Sequence, residues 1–131
     1  MKKQGILNGP VSAVVANLGH FDMITVADAG LPIPDGPQRI DLMVRPNLPQ
    51  FIDVVAMVLE EMTVQEIVVA AEMLERSPQV MAALAELLPG VPVRTLPHSQ
   101  FKAETAASKA VIRTGEYTPY ANVILVAGVN F

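Results

Sequence analysis

Three features of this sequence predict a three-layer α/β/α sandwich, a single domain over residues 1–131 with a mostly parallel, mixed sheet of about six strands. Short runs such as Met23–Ala27 and Asn122–Ala127 are apolar throughout, the pattern of strands covered on both faces. These runs alternate with stretches of helical period. Hydrophobic residues make up 51% of the chain and charged ones 17%, which is ample for a core and excludes a disordered chain.

The elements follow in order. Asn8-Gly9-Pro10 opens a helix over Val11–Leu18, proline being favoured in a first turn, and Gly19 ends it. Met23–Ala27 is the first strand and stops at Asp28. Three prolines within Gly30–Pro37 forbid regular structure there. Arg39–Val44 reads as a second strand. The clearest helix places Phe51, Val54, Val55, Val58, Leu59 and Met62 on one face. Ile52, Ala56 and Met57 on its other side are also apolar, and such surplus apolar surface predicts an oligomer. Glu66–Ala71 is a third strand candidate whose alanines also suit a helix. Ser77, as a cap, and Pro78 start a helix to Leu88 that buries Val80, Met81, Leu84, Leu87 and Leu88. Val91–Leu96 is a strand, Ser99–Lys109 a helix and Ala110–Arg113 a strand. Asn122–Ala127 completes the set and is long enough to lie centrally.

Composition removes many functions. There is no cysteine, hence no disulfide scaffold, thiolate nucleophile or cysteine-ligated metal. Two histidines are too few for a three-histidine zinc site, and the carboxylates lack metal-loop spacing. Nine Lys and Arg against thirteen Asp and Glu give a net charge of −4, with the cations scattered, which argues against nucleic acid as a partner. No uncharged stretch supplies the roughly 20 apolar residues of a membrane span, and Asn8-Gly9-Pro10 interrupts any signal-peptide core. The expectation is a soluble, cytoplasmic protein. Neither a dinucleotide-binding glycine motif nor a P-loop is present, and no serine sits in a nucleophile elbow.

Open α/β sheets bind ligands at the carboxyl ends of their strands, which here points to Asp28, Arg45, Glu72, His98 and Gly128. Asp28 and His98 belong with His20, Lys102, Tyr120 and Asn122 as polar groups in apolar or Pro/Gly surroundings. Each has a plainer reading. His20 follows a helix end, where the dipole favours an imidazolium and where it could be a simple cap. Asp28 could shape a turn or charge-stabilise an imidazole, with Asp22 as a competing partner for His20. His98 and Lys102, at i and i+4, share one helix face that could merely be solvated, and Tyr120 and Asn122 could satisfy backbone groups. What survives is acid–base chemistry by histidine, beside hydrogen-bonding groups suited to a polyhydroxylated ligand.

Several segments carry a resemblance. Leu18-Gly19-His20, Asp28-Ala29-Gly30-Leu31-Pro32-Ile33-Pro34, Arg39-Ile40-Asp41, His98-x-x-Phe101-Lys102, Ala110 to Glu116, Pro119-Tyr120-Ala121-Asn122 and Gly128-Val129-x-Phe131 stand in one order along the whole chain. Together they resemble the ribose pyranase/fucose mutarotase family. Met73–Val93 matches only in character. The fucose branch carries a bulkier residue where Gly30 stands and glycine where Ala121 stands, so both positions favour the ribose branch.

The resemblance implies interconversion of the pyranose and furanose forms of D-ribose without cofactor or metal. It implies His20 as catalytic proton donor, and Asp28, His98, Tyr120, Ala121 and Asn122 as substrate-binding positions. Lys102 is added on its spacing from His98. The resemblance also implies homo-oligomers, rings of five often stacked into decamers, with sites between subunits. Alternatives from other classes are a ribose-binding module without turnover, a structural assembly subunit, and a fucose mutarotase acting on anomers.

Overall fold

The computed structural model describes residues 1–131. The elements are α1 (Gly9–Ala16), β1 (Met23–Ala27), β2 (Gln38–Asp41), α2 (Phe51–Leu59), β3 (Val64–Ala70) and α3 (Ala71–Arg76). They continue with α4 (Pro78–Leu87), β4 (Val93–Leu96), α5 (His98–Glu104), a 3-10 turn over Thr105–Ala107, β5 (Ala110–Arg113) and β6 (Val123–Ala127). The six strands form one sheet in the order β2-β5-β1-β6-β3-β4.

The expected mixed sheet is present, with a specific form. β1, β2 and β5 pair in parallel, as do β3 and β4, whereas β6 is antiparallel to both its neighbours, β1 and β3. Five strands therefore run one way and only the central β6 is reversed. Its five residues are all buried, which fits a strand covered on both faces.

Alternate residues of each strand face opposite layers, as the pleat requires. Ile24, Val26, Ile67, Val69, Ala110, Ile112, Val123 and Leu125 face a large core roofed by α1, α2 and α4. Val68, Ala70, Val111 and Ile124 face a smaller one closed by Phe101 of α5 and by Leu31 from the proline-rich loop. The three layers are thus lopsided: α1, α2, α4 and, through Met73, α3 contribute to one core, one short helix and a loop to the other.

Local chemistry sets the ends. Asn8 Oδ1 accepts the Val11 N–H at 3.0 Å and caps α1. α1 stops at Ala16 with Asn17 as its C-cap, so His20 lies beyond the reach of the helix dipole invoked for it. Gln50 gives α2 no side-chain cap, and the Phe51 N–H instead finds Glu116 Oε2 at 3.0 Å. Ser77 occupies the N-cap position expected of it, with Pro78 next, but its side chain makes no cap bond: its hydroxyl donates to the Pro119 carbonyl at 2.6 Å, tying the start of α4 to the segment before β6. The run read as Arg39–Val44 ends early because, past Asp41, the backbone turns toward Leu48, which accepts the Val44 N–H. The helix read over Ser99–Lys109 tightens into the 3-10 turn after Glu104.

Gly115 stands where two segments nearly touch. A Cβ there would lie 2.5 Å from the Leu48 carbonyl oxygen and 2.7 Å from that of Arg45. Backbone cannot yield as a side-chain tip can, so Gly115→Ala is expected to destabilise the fold by about 2 kcal/mol or more. Denaturant unfolding at fixed protein concentration measures this, and a change within about 0.5 kcal/mol of the parent would refute the close approach.

Candidate active site

Because β6 is reversed, its beginning lies at the edge where β1, β3, β4 and β5 end. That edge gathers Asp28 after β1, Glu72 in α3, His98 at the start of α5, and Tyr120 to Asn122 before β6. Asp28, Gly30, Leu31, Pro32, His98, Lys102, Pro119 and Tyr120 line a cleft of about 310 Å³ there, at the small end of ligand sites.

Asp28 is the most firmly held of these groups. Its Oδ1 accepts the N–H groups of Gly30 at 2.9 Å and Leu31 at 2.8 Å, a turn closed by the side chain. Its Oδ2 accepts from Asn122 Nδ2 at 2.9 Å, and its own N–H donates to Asn122 Oδ1 at 2.8 Å. Asn122 is fully buried, so its amide meets the site through Asp28, and Ala121 packs into the large core. Tyr120 takes a left-handed backbone at φ 63°, with its carbonyl accepting the Asn122 N–H at 2.8 Å. That kink sets the phenol ring edge-on to His98, centroids 5.0 Å apart.

His98 and Lys102 both line the cleft, as their spacing on one helix face requires. The His98 N–H donates to Glu72 Oε2 at 2.9 Å, while Nδ1 is buried without a partner. α5 is braced from below by Arg94 of β4, which bridges Glu104 and Glu66. Those two carboxylates push the Arg94 guanidinium further toward its charged form.

His20 is elsewhere. It precedes β1 while Asp28 follows it, so the five residues of β1 separate them by roughly 17 Å. Asp28 therefore does not charge-stabilise His20 within one chain, which corrects that expectation. Asp22 does not either: its carboxylate accepts the Gly19 N–H at 2.8 Å and pairs with Lys109 at 3.4 Å. The partner of His20 is Gln65, whose Oε1 lies 2.8 Å from Nε2, and the imidazole stacks on Phe21 with centroids 3.9 Å apart. Gly128 also belongs to this opposite edge, against the expectation that grouped it with Asp28, because the reversed β6 ends here. His20, Gly19, Leu18, Thr63, Gly128 and Phe131 border a second cleft of about 420 Å³. Gln65 was missed because pairing geometry, not residue pattern, brings it to His20. No three histidine or carboxylate side chains converge as a metal-binding set.

Fold and site together define a small α/β protein with Asp28 between two polar clefts at the strand ends, the one of about 310 Å³ and another of about 480 Å³ beside Arg113 and Glu116, and with a histidine at the opposite edge. Residues 1–130 match the model of the RbsD / FucU transport protein family. The chain is 50% identical over its full length, and that of the relative, to D-ribose pyranase from Laribacter hongkongensis. It is 52% identical, again over both full lengths, to D-ribose pyranase from Symbiobacterium thermophilum. Its fold superposes on that of Bacillus subtilis RbsD complexed with D-ribose with a TM-score of 0.96, 49% identity and all of both chains covered. The chain belongs to the RbsD/FucU family.

The turn bearing His20 has a pH signature. The Gly19 N–H, and after it the Lys109 ammonium, hold the Asp22 carboxyl below its ordinary range, against a desolvation that pushes it up. A carboxylate with a lowered folded pKa contributes stability above its unfolded pKa and loses it as pH falls through the folded value. The Gly19 amide resonance should therefore titrate with a midpoint below the roughly 3.9 of an unstructured aspartate, and Asp22→Asn should remove that step. A midpoint at or above that value would refute the bond.

Proposed function

We infer that this chain is an isomerase that interconverts the pyranose and furanose rings of D-ribose by opening and reclosing the hemiacetal. The observation that carries this reading is the cleft, which a fixed carboxylate, an imidazole, a lysine and a tyrosine line together. It is supported by 49% identity to an RbsD solved with D-ribose and by full-length likeness to D-ribose pyranases.

The reaction needs little machinery. As the bond from C1 to the ring oxygen O5 breaks, O5 gains a proton and the anomeric hydroxyl loses one, leaving an open aldehyde. The O4 hydroxyl then adds to C1, losing its proton as the carbonyl oxygen gains one, and the five-membered ring is made. Atoms and charge balance with no other reactant. His20 is the proton donor, an imidazole being able to give and recover a proton near neutrality. Asp28 and Lys102 accept from and donate to the remaining hydroxyls, and Tyr120 packs beside them. With Nδ1 of His98 buried and unpartnered, the less costly tautomer carries its proton on Nε2. Asn122, with the backbone of Ala121, holds Asp28 in position.

One chain cannot place its own His20 in its own cleft, so the site forms between copies. Phe21, Val129 and Phe131 are exposed at the His20 edge; Val44, Leu48 and Tyr117 are exposed beside the Asp28 edge. Joining one edge to the other is a heterologous contact, which closes into a ring if the rotation permits. We adopt a ring of five, stacked into a decamer, as the assembly, and the cytoplasm as its location. No helix is long and apolar enough to cross a membrane.

Saturation-transfer NMR on D-ribose reads the exchange directly. The folded protein should accelerate it, and His20→Ala should lower the rate by about 10²–10⁴. Binding of ribose with no acceleration leaves a binding module and sinks the isomerase reading. Separately, inactive His20→Ala and His98→Ala chains, refolded together, should regain activity, since roughly one heterologous interface in four pairs an intact His20 with an intact cleft. No recovery in mixed assemblies would overturn the shared site.

A further inference from the structure

The hydrogen bond to His20 comes from an irregular place in the sheet. Val64 pairs with Ala127 but Glu66 pairs with Val126, so β3 advances two residues while β6 advances one. Gln65 is the extra residue, a β-bulge, and bulges beside functional sites re-aim a side chain that regular pleating would send to the other face. Here the re-aimed group is the Gln65 amide, whose Oε1 lies 2.8 Å from His20 Nε2 across 45 residues of sequence.

Two neighbours keep it there. A Cβ at Gly128 would come 3.2 Å from Gln65 Cβ and 3.4 Å from Thr63 Cγ2, so glycine leaves the room in which the Gln65 stem lies. The Gly128 N–H also donates to the Thr63 carbonyl at 2.9 Å, fastening β6 to the approach to the bulge. On the other side, Phe21 holds a left-handed backbone at φ 68°, unfavourable for a bulky side chain, with its N–H donating to the Ala127 carbonyl at 2.9 Å. That backbone lays the phenyl ring nearly parallel to the imidazole, at 21°. The imidazole is thus fixed in plane by Phe21 and in rotation by Gln65.

We propose that Gln65 is a positioning residue for the ring-opening reaction: from the β3 bulge its amide holds Nε2 of His20, leaving Nδ1 as the nitrogen that exchanges protons with the sugar. The proposal rests on the reading of His20 as the proton donor. An amide is the suitable group because it hydrogen-bonds the imidazole without titrating. With Oε1 facing the ring, Nε2 keeps its proton in the neutral and charged forms alike, and only Nδ1 cycles. A carboxylate at this position would favour the imidazolium and raise its pKa, which helps the proton-giving step and hinders recovery. The two acidic side chains nearest this edge are already paired. Asp22 binds the Gly19 N–H and Lys109, and Glu61, which borders the same cleft, binds the Ile6 N–H and Lys2. No charged side chain forms a salt bridge with the imidazole.

The test uses the full-length protein, saturation-transfer NMR on D-ribose over a pH series, and ¹⁵N spectra of the histidine ring, with His20→Ala assigning its signals. Gln65→Ala should lower kcat roughly 10- to 100-fold with KM within about twofold, by analogy with lost orienting partners elsewhere. It should also turn His20 from one tautomer, protonated at Nε2, into a mixture. Gln65→Glu, which keeps an acceptor in place, should retain a single Nε2–H tautomer and move the His20 titration and the pH–rate profile upward. An unchanged tautomer and pH profile in both variants would overturn the proposal, whatever happens to kcat, because a merely structural loss moves neither. Full activity in His20→Ala would overturn it by a different route. The tautomer shift would then stand as a local fact while the donor assignment failed.

Discussion

A central strand that runs against its neighbours still completes its ladder, with β1 on one side and β3 on the other, but it exchanges the two ends of the sheet. The start of β6 comes to lie beside the ends of β1 and β3, and its end beside their starts. Asn122 therefore reaches Asp28 from 94 residues away in sequence, and the two share a reciprocal pair of hydrogen bonds. At the other end Gly128 lies against Gln65 and the Ala127 carbonyl holds Phe21, so the surroundings of His20 depend on the same strand. Run parallel, β6 would bring neither Asn122 to Asp28 nor Gly128 to Gln65.

The thin side of the sandwich matters as much. Four helices contribute to the core on one sheet face. The other face has only α5, the 3-10 turn and the proline-rich loop, and the cleft lies between that loop and α5. Proline is apt in this wall because it fixes φ and asks for no backbone donor bond, so Leu31 can be buried while its flanks stay irregular. The Asp28 carboxylate supplies the acceptors that the turn into this loop lacks. The residue that faces the cleft thus also shapes its wall, through the N–H groups of Gly30 and Leu31.

How much of this was legible in the sequence depends on whether a feature is local. β1 and β5 coincide residue for residue with the runs Met23–Ala27 and Ala110–Arg113, because an apolar run bounded by a turn-forming residue carries its own limits. α3 went unread, since six residues are too few to show a helical period beside an apolar strand. The reversal of β6 left no trace, because an apolar run reads alike in either direction. The residue types of the cleft were legible, and the loop and helix that carry Asp28, His98 and Lys102 lay where the pattern put them. The separation of His20 was not legible, because it follows from strand direction alone, and Gln65 was hidden in a bulge, which is a property of pairing and not of composition.

The split between the two edges also accounts for the apolar surplus. A chain of 131 residues with 51% hydrophobic content would place a few scattered apolar side chains on its surface without meaning. Here six of the ten exposed large ones fall at the two edges that carry polar groups. Phe21, Val129 and Phe131 accompany His20, and Val44, Leu48 and Tyr117 accompany the other edge. On the reading of a shared site, burying these groups against each other drives the association that brings His20 to the cleft of a neighbouring copy. Association and catalysis then depend on the same surfaces. On that reading a folded single chain holds both halves of the chemistry at opposite edges of its sheet.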